Sequence, residues 1–234
     1  MNISISQPTF LPYEGYFGLI NYVDKFIFLD NVQFNKRSWQ QRNWLIIGKK
    51  EKLLTIPVLS KSKFHQILNE AEIDYKNFDL KVFFSSLEMN YKNTKFFDLY
   101  YPEIKEIFNK KHKYLYDLNI ELIKKICFFY EIKTSFFYSS DFEIKKDAKK
   151  ELLLLELIKK NNCKRYISTI GSKKYLGNNS FFLDNNIKIN YFEYSNNGFK
   201  GSNKNCENLS VLDCLFRDGI NSKKKIINNF KIID

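Results

Sequence analysis

The chain has 234 residues, and its 38 Lys and Arg against 26 Asp and Glu give a formal net charge of +12. A hydrophobic fraction of 44% is high enough to bury a core, which excludes an intrinsically disordered chain. No run approaches ~18 consecutive apolar residues, so a membrane-spanning helix is not predicted. We expect one domain over residues 1–234, with a helical segment at about 76–131.

The first elements in chain order predict a βαβ unit. Residues Asn2–Ser6 alternate between apolar and polar side chains, as a strand does. Two prolines interrupt Gln7–Pro12, and apolar residues then recur at helical spacing from Tyr13 onward. The run Lys25–Asp30 is typical of a buried strand. A strand, a loop, a helix and a second strand in close succession predict a parallel sheet with right-handed crossovers.

The rest of the chain alternates between further strands and helices. The predicted order is a polar loop over 31–43, a β-hairpin over 44–58, helices over 78–90 and 114–130, a strand over 136–139, a helix over 149–161, strands over 165–168 and 187–194, a loop over 195–208, a short helix over 210–217 and a basic amphipathic tail over 223–234. The predicted fold class is therefore α/β, with a mainly parallel, Rossmann-like sheet, flanking helices, a β-hairpin and a helical insertion in the middle of the chain.

Composition also bears on localisation, metals and cofactors. No signal peptide is predicted, because the N-terminus has neither a basic start nor an apolar run of ~7–15 residues. The four cysteines form no CxxC pair, and we expect reduced thiols in a cytoplasmic protein. No metal site is predicted, since His65 and His112 are the only histidines. The GxxxxGK[ST] and GxGxxG motifs are absent, so no cofactor is evident.

Polar side chains concentrate in two loops of the N-terminal quarter, and the first of these loops leads into a helix that begins near Gly15. The carboxyl ends of parallel strands meet at one edge of a sheet, where ligands of α/β proteins bind. The candidate site residues in this region are Gln7, Tyr16, Asp30, Gln33, Arg37, Trp39, Gln41 and Arg42. A carboxylate at a strand tip can act as general base, and guanidinium groups bind phosphate or carboxylate. The structural alternatives are Asp30 as a turn cap, Trp39 in the core and Gly15 as a helix entry, with the arginines as surface charges.

A second polar cluster lies in Ile167–Tyr175, where a predicted strand leads into a turn that contains hydroxyl groups and a glycine. Its candidate residues are Ser168, Thr169, Gly171 and Tyr175. The hydroxyls and backbone N–H groups of such a turn can surround a phosphate, although Ser or Thr before a helix is also a routine N-cap. Further on, Ser210 and Asp213 have the spacing of a capping box, for which we expect a structural role.

These segments together resemble the WbqC-like protein family. The resemblance rests on Ile5–Phe17, Asp24–Phe34, Arg37–Asn43, Tyr166–Ser168 with Gly171 and Tyr175, and Leu209–Phe216 with Gly219, and it spans nearly the whole chain. Family members often carry His before the Gln-Pro pair and Trp after the second proline, where this chain has Ser6 and Tyr13.

The resemblance implies a function in surface-polysaccharide synthesis. Family members are associated with bacterial O-antigen gene clusters and are described as glycine transferases that act on an amino sugar. By resemblance, this chain would transfer an aminoacyl group to the amine of a nucleotide-linked amino sugar. The activated donor would be an aminoacyl-tRNA, which the basic surface would suit, or an aminoacyl adenylate.

Aminoacyl transfer needs a base and donors for the oxyanion, which gives the candidate residues hypothetical roles. The catalytic group is Asp30, Gln7 and Tyr16, and the substrate-binding group is Gln33, Arg37, Trp39, Gln41, Arg42, Ser168, Thr169, Gly171 and Tyr175. In this assignment Asp30 is the base, and Tyr16 and Trp39 stack on a sugar or nucleobase. The alternatives are a nucleotidyltransferase-like enzyme, which the turns after two strands favour, and a non-catalytic sugar- or nucleotide-binding protein.

Overall fold

The structure is a computed structural model that describes residues 1–48, 50–61, 63, 65–144, 151–174, 176, 180–195 and 209–234. The strands are β1 (Asn2–Ser6), β2 (Lys25–Phe28), β3 (Arg42–Ile47), β4 (Lys50–Thr55), β5 (Ser135–Tyr138), β6 (Arg165–Thr169), β7 (Lys188–Tyr194) and β8 (Phe230–Ile233). The α-helices are α1 (Glu14–Tyr22), α2 (Leu80–Tyr91), α3 (Phe97–Asn109), α4 (Leu115–Phe129), α5 (Glu151–Lys160), α6 (Ser180–Leu183), α7 (Val211–Asp218) and α8 (Ser222–Asn228). Within these ranges no helix has the length and apolar character needed to span a bilayer.

The main sheet has six strands in the order β5-β2-β1-β6-β7-β8. Neighbouring strands from β5 to β7 run parallel, and β8 is antiparallel to β7. The predicted α/β class with a mainly parallel sheet is confirmed. The chain builds the sheet outward from β1, first to β2 and β5 on one side and then to β6 and β7 on the other. The strand order therefore reverses between β1 and β6, where such sheets open a crevice beyond the carboxyl ends of their strands.

At this reversal point β1 and β6 separate from each other. Both strands are described over their whole length, and their ladder ends at the pair Ile3↔Tyr166. In contrast, β1 pairs with β2 as far as Ser6, and β6 pairs with β7 as far as Thr169. The last residues of β1 and β6 are thus bonded to their outer neighbours and not to each other. A gap opens between the two strands toward the carboxyl edge of the sheet.

Alternating side chains of the strands contribute to two hydrophobic cores. Ile3 and Ile5 belong to a smaller core with residues of α5 and α6. Phe26 and Phe28 belong to a larger core with residues of α1, α2, α3, α4, α7 and α8. Because successive side chains of a strand point to opposite faces, both faces of the sheet are covered.

The predicted hairpin is confirmed as β3 and β4, which form a separate two-stranded sheet. A buried network ties it to the helices. The Tyr91 hydroxyl accepts a hydrogen bond from the Ile46 N–H at 3.2 Å and donates to Asp213 Oδ1 at 2.9 Å. Arg217 Nε donates to both carboxylate oxygens of Asp213 at 3.2 Å. Asp213, which is only 1% exposed, thus connects α7 to Tyr91 of α2, and Tyr91 in turn is bonded to β3.

The same network corrects the predicted capping box at the start of α7. Ser210 is the N-cap, and its Oγ accepts from the Leu212 N–H at 3.3 Å. Asp213 does not complete the box, because its carboxylate is bonded to Tyr91 and Arg217 instead.

Three other segments differ from prediction. Helix α3, whose interior contains Pro102, lies within the predicted helical segment 76–131 but is not predicted as a separate helix. The short helix α6 is not predicted either. The C-terminal tail, predicted as one amphipathic segment, divides into α8 and β8. In β8 the Phe230 ring stacks on Phe192 of β7, with centroids 4.6 Å apart. The strand thereby covers what would otherwise be an open edge of the sheet. The predicted loop 195–208 lies outside the described residues from 196 onward.

Candidate functional site

The carboxyl edge of the sheet carries two cavities that share Ser6 and Thr169, the last residues of β1 and β6. We call the first the aromatic cavity. It has a volume of about 690 Å³, and its walls are Ser6, Thr9, Pro12, Tyr13, Tyr16, Trp39, Asn43, Thr169, Ile170, Gly171, Phe192, Tyr194 and Ser195. The second, which we call the strand-gap cavity, has a volume of about 680 Å³. Both volumes are typical of small-molecule sites.

The aromatic cavity is neutral: none of the described residues that line it is charged. Burial raises the pKa of Tyr16 well above its ordinary value and also raises the pKa of Tyr13. Burial, reinforced by the Glu14 carboxylate, raises the pKa of Tyr194 as well. The hydroxyls of these tyrosines therefore stay protonated at neutral pH. Trp39 is 49% exposed despite its size. The walls suit a polar, uncharged group with apolar faces.

Buried amide side chains hold the loop after β1 in place. Asn43 Nδ2 donates to the Leu11 carbonyl at 2.7 Å. Asn119 Nδ2, on α4, donates to the carbonyls of Pro8 at 3.1 Å and Gln40 at 2.8 Å. Asn119 is fully buried, so these bonds are shielded from water. The loop is thus fixed against both the hairpin and α4.

Gly15 permits close packing of the tyrosine rings on one wall of the aromatic cavity. A Cβ atom at this position would collide with the Tyr13 ring and lie 2.7 Å from Tyr194 Cγ. The two rings meet edge to face, with centroids 6.0 Å apart. The Tyr194 hydroxyl also donates to Glu14 Oε2 at 2.8 Å. The close packing of the two rings therefore requires glycine at position 15. The sequence predicts only that Gly15 permits the start of the helix.

Gly15→Ala is expected to lower the free energy of unfolding by ~1–3 kcal/mol, because the added methyl group overpacks the tyrosine wall. Urea denaturation followed by circular dichroism measures the change. Gly171→Ala is the matched control, since a Cβ there would meet nothing within 4 Å. The control should change stability by less than ~0.5 kcal/mol. Equal stability of the two variants would show that the tyrosine wall tolerates the methyl group.

The strand-gap cavity has a different lining. It contains the hydroxyl groups of Ser4, Ser6, Ser168, Thr169 and Ser172, the side chains of Gln7, Tyr166, Glu151 and Lys174, and the apolar residues Ile5, Leu19, Leu29, Leu154 and Leu176. Its position matches the gap between β1 and β6. Unlike the aromatic cavity, it presents both a carboxylate and an ammonium group.

Asp30, the predicted base, lies in a buried hydrogen-bond cluster. It is 1% exposed and is absent from the lining of both cavities. Its Oδ1 accepts from the Ser139 hydroxyl at 2.7 Å and the Ser140 N–H at 3.0 Å, and its Oδ2 accepts from the Ser140 hydroxyl at 2.7 Å. This geometry joins the end of β2 to the end of β5. It supports a structural role, and the catalytic role remains a prediction.

Three of the candidate residues predicted in the N-terminal quarter come together at the cavities. Tyr16 and Trp39 line the aromatic cavity, and Gln7 lines the strand-gap cavity. The Tyr16 hydroxyl donates to the Gln7 carbonyl at 3.0 Å. Gln40, which the sequence does not single out, donates through Nε2 to Gln7 Oε1 at 2.8 Å. The first loop thus contributes to both cavities at once.

The remaining predicted residues of the second loop lie elsewhere. Gln33 and Arg37 are exposed, and neither lines a cavity. Gln41 is 8% exposed; its Oε1 accepts from the Arg37 N–H at 3.1 Å and its Nε2 donates to the Ile56 carbonyl at 3.0 Å. Arg42 is the first residue of β3 and also lies outside both linings. The predicted arginine grip on a phosphate is not supported by this arrangement.

The turn after β6 lies where the sequence predicts. Thr169 lines both cavities, Ser168 lines the strand-gap cavity and Gly171 lines the aromatic cavity. Ser172 Oγ is 2.7 Å from Ser168 Oγ and donates to the Thr169 carbonyl at 2.7 Å. Tyr175 lies outside the described residues. The turn therefore contributes residues to both cavities.

The family of the chain follows from a match over most of its length. The sequence model of the WbqC-like protein family matches residues 7–225. The chain belongs to the WbqC-like protein family. It is also similar to an uncharacterized protein of Mycobacterium tuberculosis, Rv1507c, with 30% identity over 226 residues that cover 93% of this chain and 94% of the relative. No solved structure matches the chain.

Sequence reasoning missed several residues that shape the site of this WbqC-like chain. Gln40 and Asn43 lie within Arg37–Asn43, one of the stretches on which the family resemblance rests, so that stretch is the signal that points to them. Asn119 is an amide on the buried face of α4, next to Leu118. A buried polar side chain among apolar neighbours requires a hydrogen-bond partner, so an asparagine at such a position in the sequence indicates a structural contact.

Proposed function

We propose that this WbqC-like chain is a transferase that attaches an aminoacyl group, of the glycine type, to the amine of a nucleotide-linked amino sugar. The reaction belongs to bacterial O-antigen and lipopolysaccharide synthesis and takes place in the cytoplasm. The donor is an aminoacyl-tRNA or an aminoacyl adenylate. The observation that carries the proposal is the aromatic cavity at the reversal point of the sheet, whose described lining residues are all uncharged.

A sugar ring is the ligand class that suits these walls. The C–H faces of a pyranose pack on aromatic rings, and its hydroxyls exchange hydrogen bonds with neutral side chains. Trp39 and Tyr13 supply rings, and Thr9 and Ser195 supply hydroxyls. The neutrality of the cavity therefore supports binding of the sugar half of the substrate here.

The transfer forms one bond and breaks one. The sugar amine nitrogen attacks the carbonyl carbon of the aminoacyl group, and the bond from that carbon to the donor oxygen breaks. The electron pair leaves with the tRNA ribose oxygen, which takes up a proton from solvent, or with the adenylate phosphate oxygen, which leaves as an anion. The amine loses a proton. The oxyanion of the intermediate needs N–H or O–H donors. In the proposal, the turn Thr169–Gly171 supplies them.

The proton also needs an acceptor. The Tyr194 side chain lines the aromatic cavity, and its hydroxyl donates to the Glu14 carboxylate. In the proposal, the amine proton passes to the Tyr194 oxygen while the Tyr194 proton passes to Glu14. Tyr194 stays neutral throughout, in keeping with its raised pKa. Glu14 is then the final base, in place of Asp30.

Trp39→Ala is expected to weaken binding of a nucleotide-linked amino sugar about 10–100-fold, because the ring provides stacking area worth ~1.5–3 kcal/mol. Isothermal titration calorimetry measures the affinity. Thermal stability should stay near that of the wild type, since Trp39 is 49% exposed. Amide formation from glycyl-tRNA or glycyl adenylate, followed by mass spectrometry, measures the transfer itself.

Phe128→Ala is the control for this experiment. Phe128 is an exposed aromatic residue on α4, 70% accessible and outside the lining of both cavities. Its removal should leave sugar binding unchanged. Wild-type affinity in Trp39→Ala would remove the aromatic cavity from the proposal. Tight binding without product from either donor would favour a non-catalytic binding protein.

Nucleotidyl transfer is the second candidate. It is favoured by the strand order, which reverses at β1 and β6, together with a hydroxyl-bearing turn at the end of β6. A phosphate-binding turn at the carboxyl edge of such a sheet suits a nucleoside triphosphate. Release of pyrophosphate from a nucleoside triphosphate in the presence of a sugar phosphate would favour this candidate over acyl transfer.

A further inference from the structure

The strand-gap cavity contains a buried hydroxyl group that lacks a partner. Ser4 is 1% exposed and lines this cavity. No hydrogen bond reaches its Oγ from any residue in the described part of the chain. Buried polar groups are almost always hydrogen-bonded, because desolvation without a partner is unfavourable. A ligand in the strand-gap cavity would supply the missing hydrogen bond.

The charged groups of the cavity are few and of opposite sign. Lys174 ends the turn after β6, close in sequence to the Ser172 hydroxyl, and an ammonium group with hydroxyls suits a phosphate. Glu151, at the start of α5, offers a carboxylate that can accept from the two hydroxyls of a ribose, as acidic residues do in dinucleotide-binding sheets. Leu154 and Leu176 also line the cavity and offer apolar contacts to a flat ring.

We propose that the strand-gap cavity binds a nucleoside phosphate. The phosphate lies at Lys174 and the turn hydroxyls, the ribose lies at Glu151 and the base packs on these two leucines. The Ser4 hydroxyl gains its hydrogen bond from this ligand. The site owes its existence to the separation of β1 and β6, since paired strands would leave no gap.

The two cavities fit the two halves of one molecule. They share Ser6 and Thr169 and therefore adjoin, and in the proposal one elongated ligand occupies both. This part of the inference rests on the proposed function, in which the sugar occupies the aromatic cavity. A nucleotide-linked sugar then has its nucleoside in the strand-gap cavity. An aminoacyl adenylate carries the same nucleoside phosphate chemistry and is the other source of this ligand.

Calorimetric titration of the full chain with sugar-free nucleotides tests the site directly. The probes are UDP, GDP, ADP, dTDP and AMP, each without sugar or aminoacyl group. Lys174→Ala should weaken binding of the preferred nucleotide about 10-fold through loss of the charge-assisted contact. Lys173→Ala is the matched control, because the Lys173 Nζ lies over the Tyr191 ring, 5.0 Å from its centroid, and outside the cavity lining. The control should bind within about 2-fold of the wild type.

Ser4→Ala distinguishes a ligand-binding role of the hydroxyl from a structural one, because nucleotide affinity and the melting temperature of the ligand-free protein are expected to respond differently. Removal of the hydroxyl should weaken nucleotide binding ~3–10-fold. The melting temperature of the ligand-free protein should stay unchanged or rise, because the unpartnered group is gone. A fall in the ligand-free melting temperature together with wild-type affinity would overturn the ligand role of Ser4.

The outcomes separate this inference from the proposed function. A preference for one diphosphate that depends on Lys174 supports the site with the sugar nucleotide as source, and a preference for AMP supports it with the adenylate donor as source. Nucleotide binding without acyl transfer supports the site and contradicts the proposed function. A nucleotide-linked amino sugar that binds through Trp39, with no binding of any sugar-free nucleotide, overturns the site and leaves the proposed function standing.

Discussion

Asp30→Ala is expected to lower the free energy of unfolding by about 3–5 kcal/mol. The substitution removes a buried carboxylate that accepts three hydrogen bonds from Ser139 and Ser140. The donors are left without their partner, and the ends of β2 and β5 lose their connection. Urea denaturation followed by circular dichroism measures the loss. Wild-type stability would mean that this cluster does not hold the edge of the sheet.

Asp30→Asn separates this structural role from a catalytic one. Asparagine keeps one carbonyl oxygen as acceptor, so the variant should lose only ~1–2 kcal/mol and remain folded at 25 °C. If Asp30 is the base, turnover of the folded variant falls ~10²–10⁴-fold. If its role is structural, turnover stays close to that of the wild type. Asp141→Asn, an exposed carboxylate on the same turn, is the control for a general effect of charge.

Asp213→Ala is expected to lower the free energy of unfolding by about 2–4 kcal/mol. The Tyr91 hydroxyl loses its acceptor in the interior, and the hairpin loses its link to α7. Asp218→Ala is the matched control on the same helix. Asp218 forms a surface ion pair with Lys225 at 2.7 Å, and its removal should cost only ~0–1 kcal/mol. Similar losses in the two variants would contradict a special role for the buried network.

The Asp213 carboxylate also makes stability depend on pH. Burial raises the pKa of Asp213, while the Arg217 guanidinium and the hydrogen bond from the Tyr91 hydroxyl lower it, and the net effect is a raised pKa. Between the ordinary pKa of an aspartate and this raised value, the folded chain holds a proton that the unfolded chain has lost. The contribution of this group to stability therefore falls as the pH rises through that window. Asp213→Asn should flatten that part of the profile, which unfolding experiments across acidic pH will measure.

Strong local patterns made most of the fold predictable. The alternation in Asn2–Ser6 and the apolar run from Lys25 predict two neighbouring parallel strands, and both are present. Helix α3 lies within the predicted helical segment 76–131 but was not predicted as a separate helix, because it contains Pro102 and proline disfavours a helix interior. Strand β8 was missed because its stability comes from pairing with β7, a contact that local periodicity does not encode.

The site was predictable where it depends on strand ends and unpredictable where it depends on distant contacts. Thr169 and Trp39 lie at the cavities because the loops after β1, β2 and β6 converge on one edge. Arg37 has a backbone φ of 58°, and its N–H donates to the Gln41 side chain. The location of its guanidinium group depends on this local backbone, which its place in a polar loop does not predict. The bond from Asn119 to the Pro8 carbonyl joins residues 111 positions apart. No local pattern reports such a contact.

The central place of β1 in the sheet affects how the chain folds while it is being synthesised. β2 leaves the ribosome soon after β1 and can pair with it at once, but the other partner of β1, β6, begins only at Arg165. At ~5–20 residues per second, the nascent chain carries an open parallel edge for on the order of ten seconds. During this time Ile3 and Ile5 lack the cover of the smaller core. We therefore expect production of this protein to depend on chaperones that shield nascent apolar strands, and slower translation before residue 165 to increase aggregation.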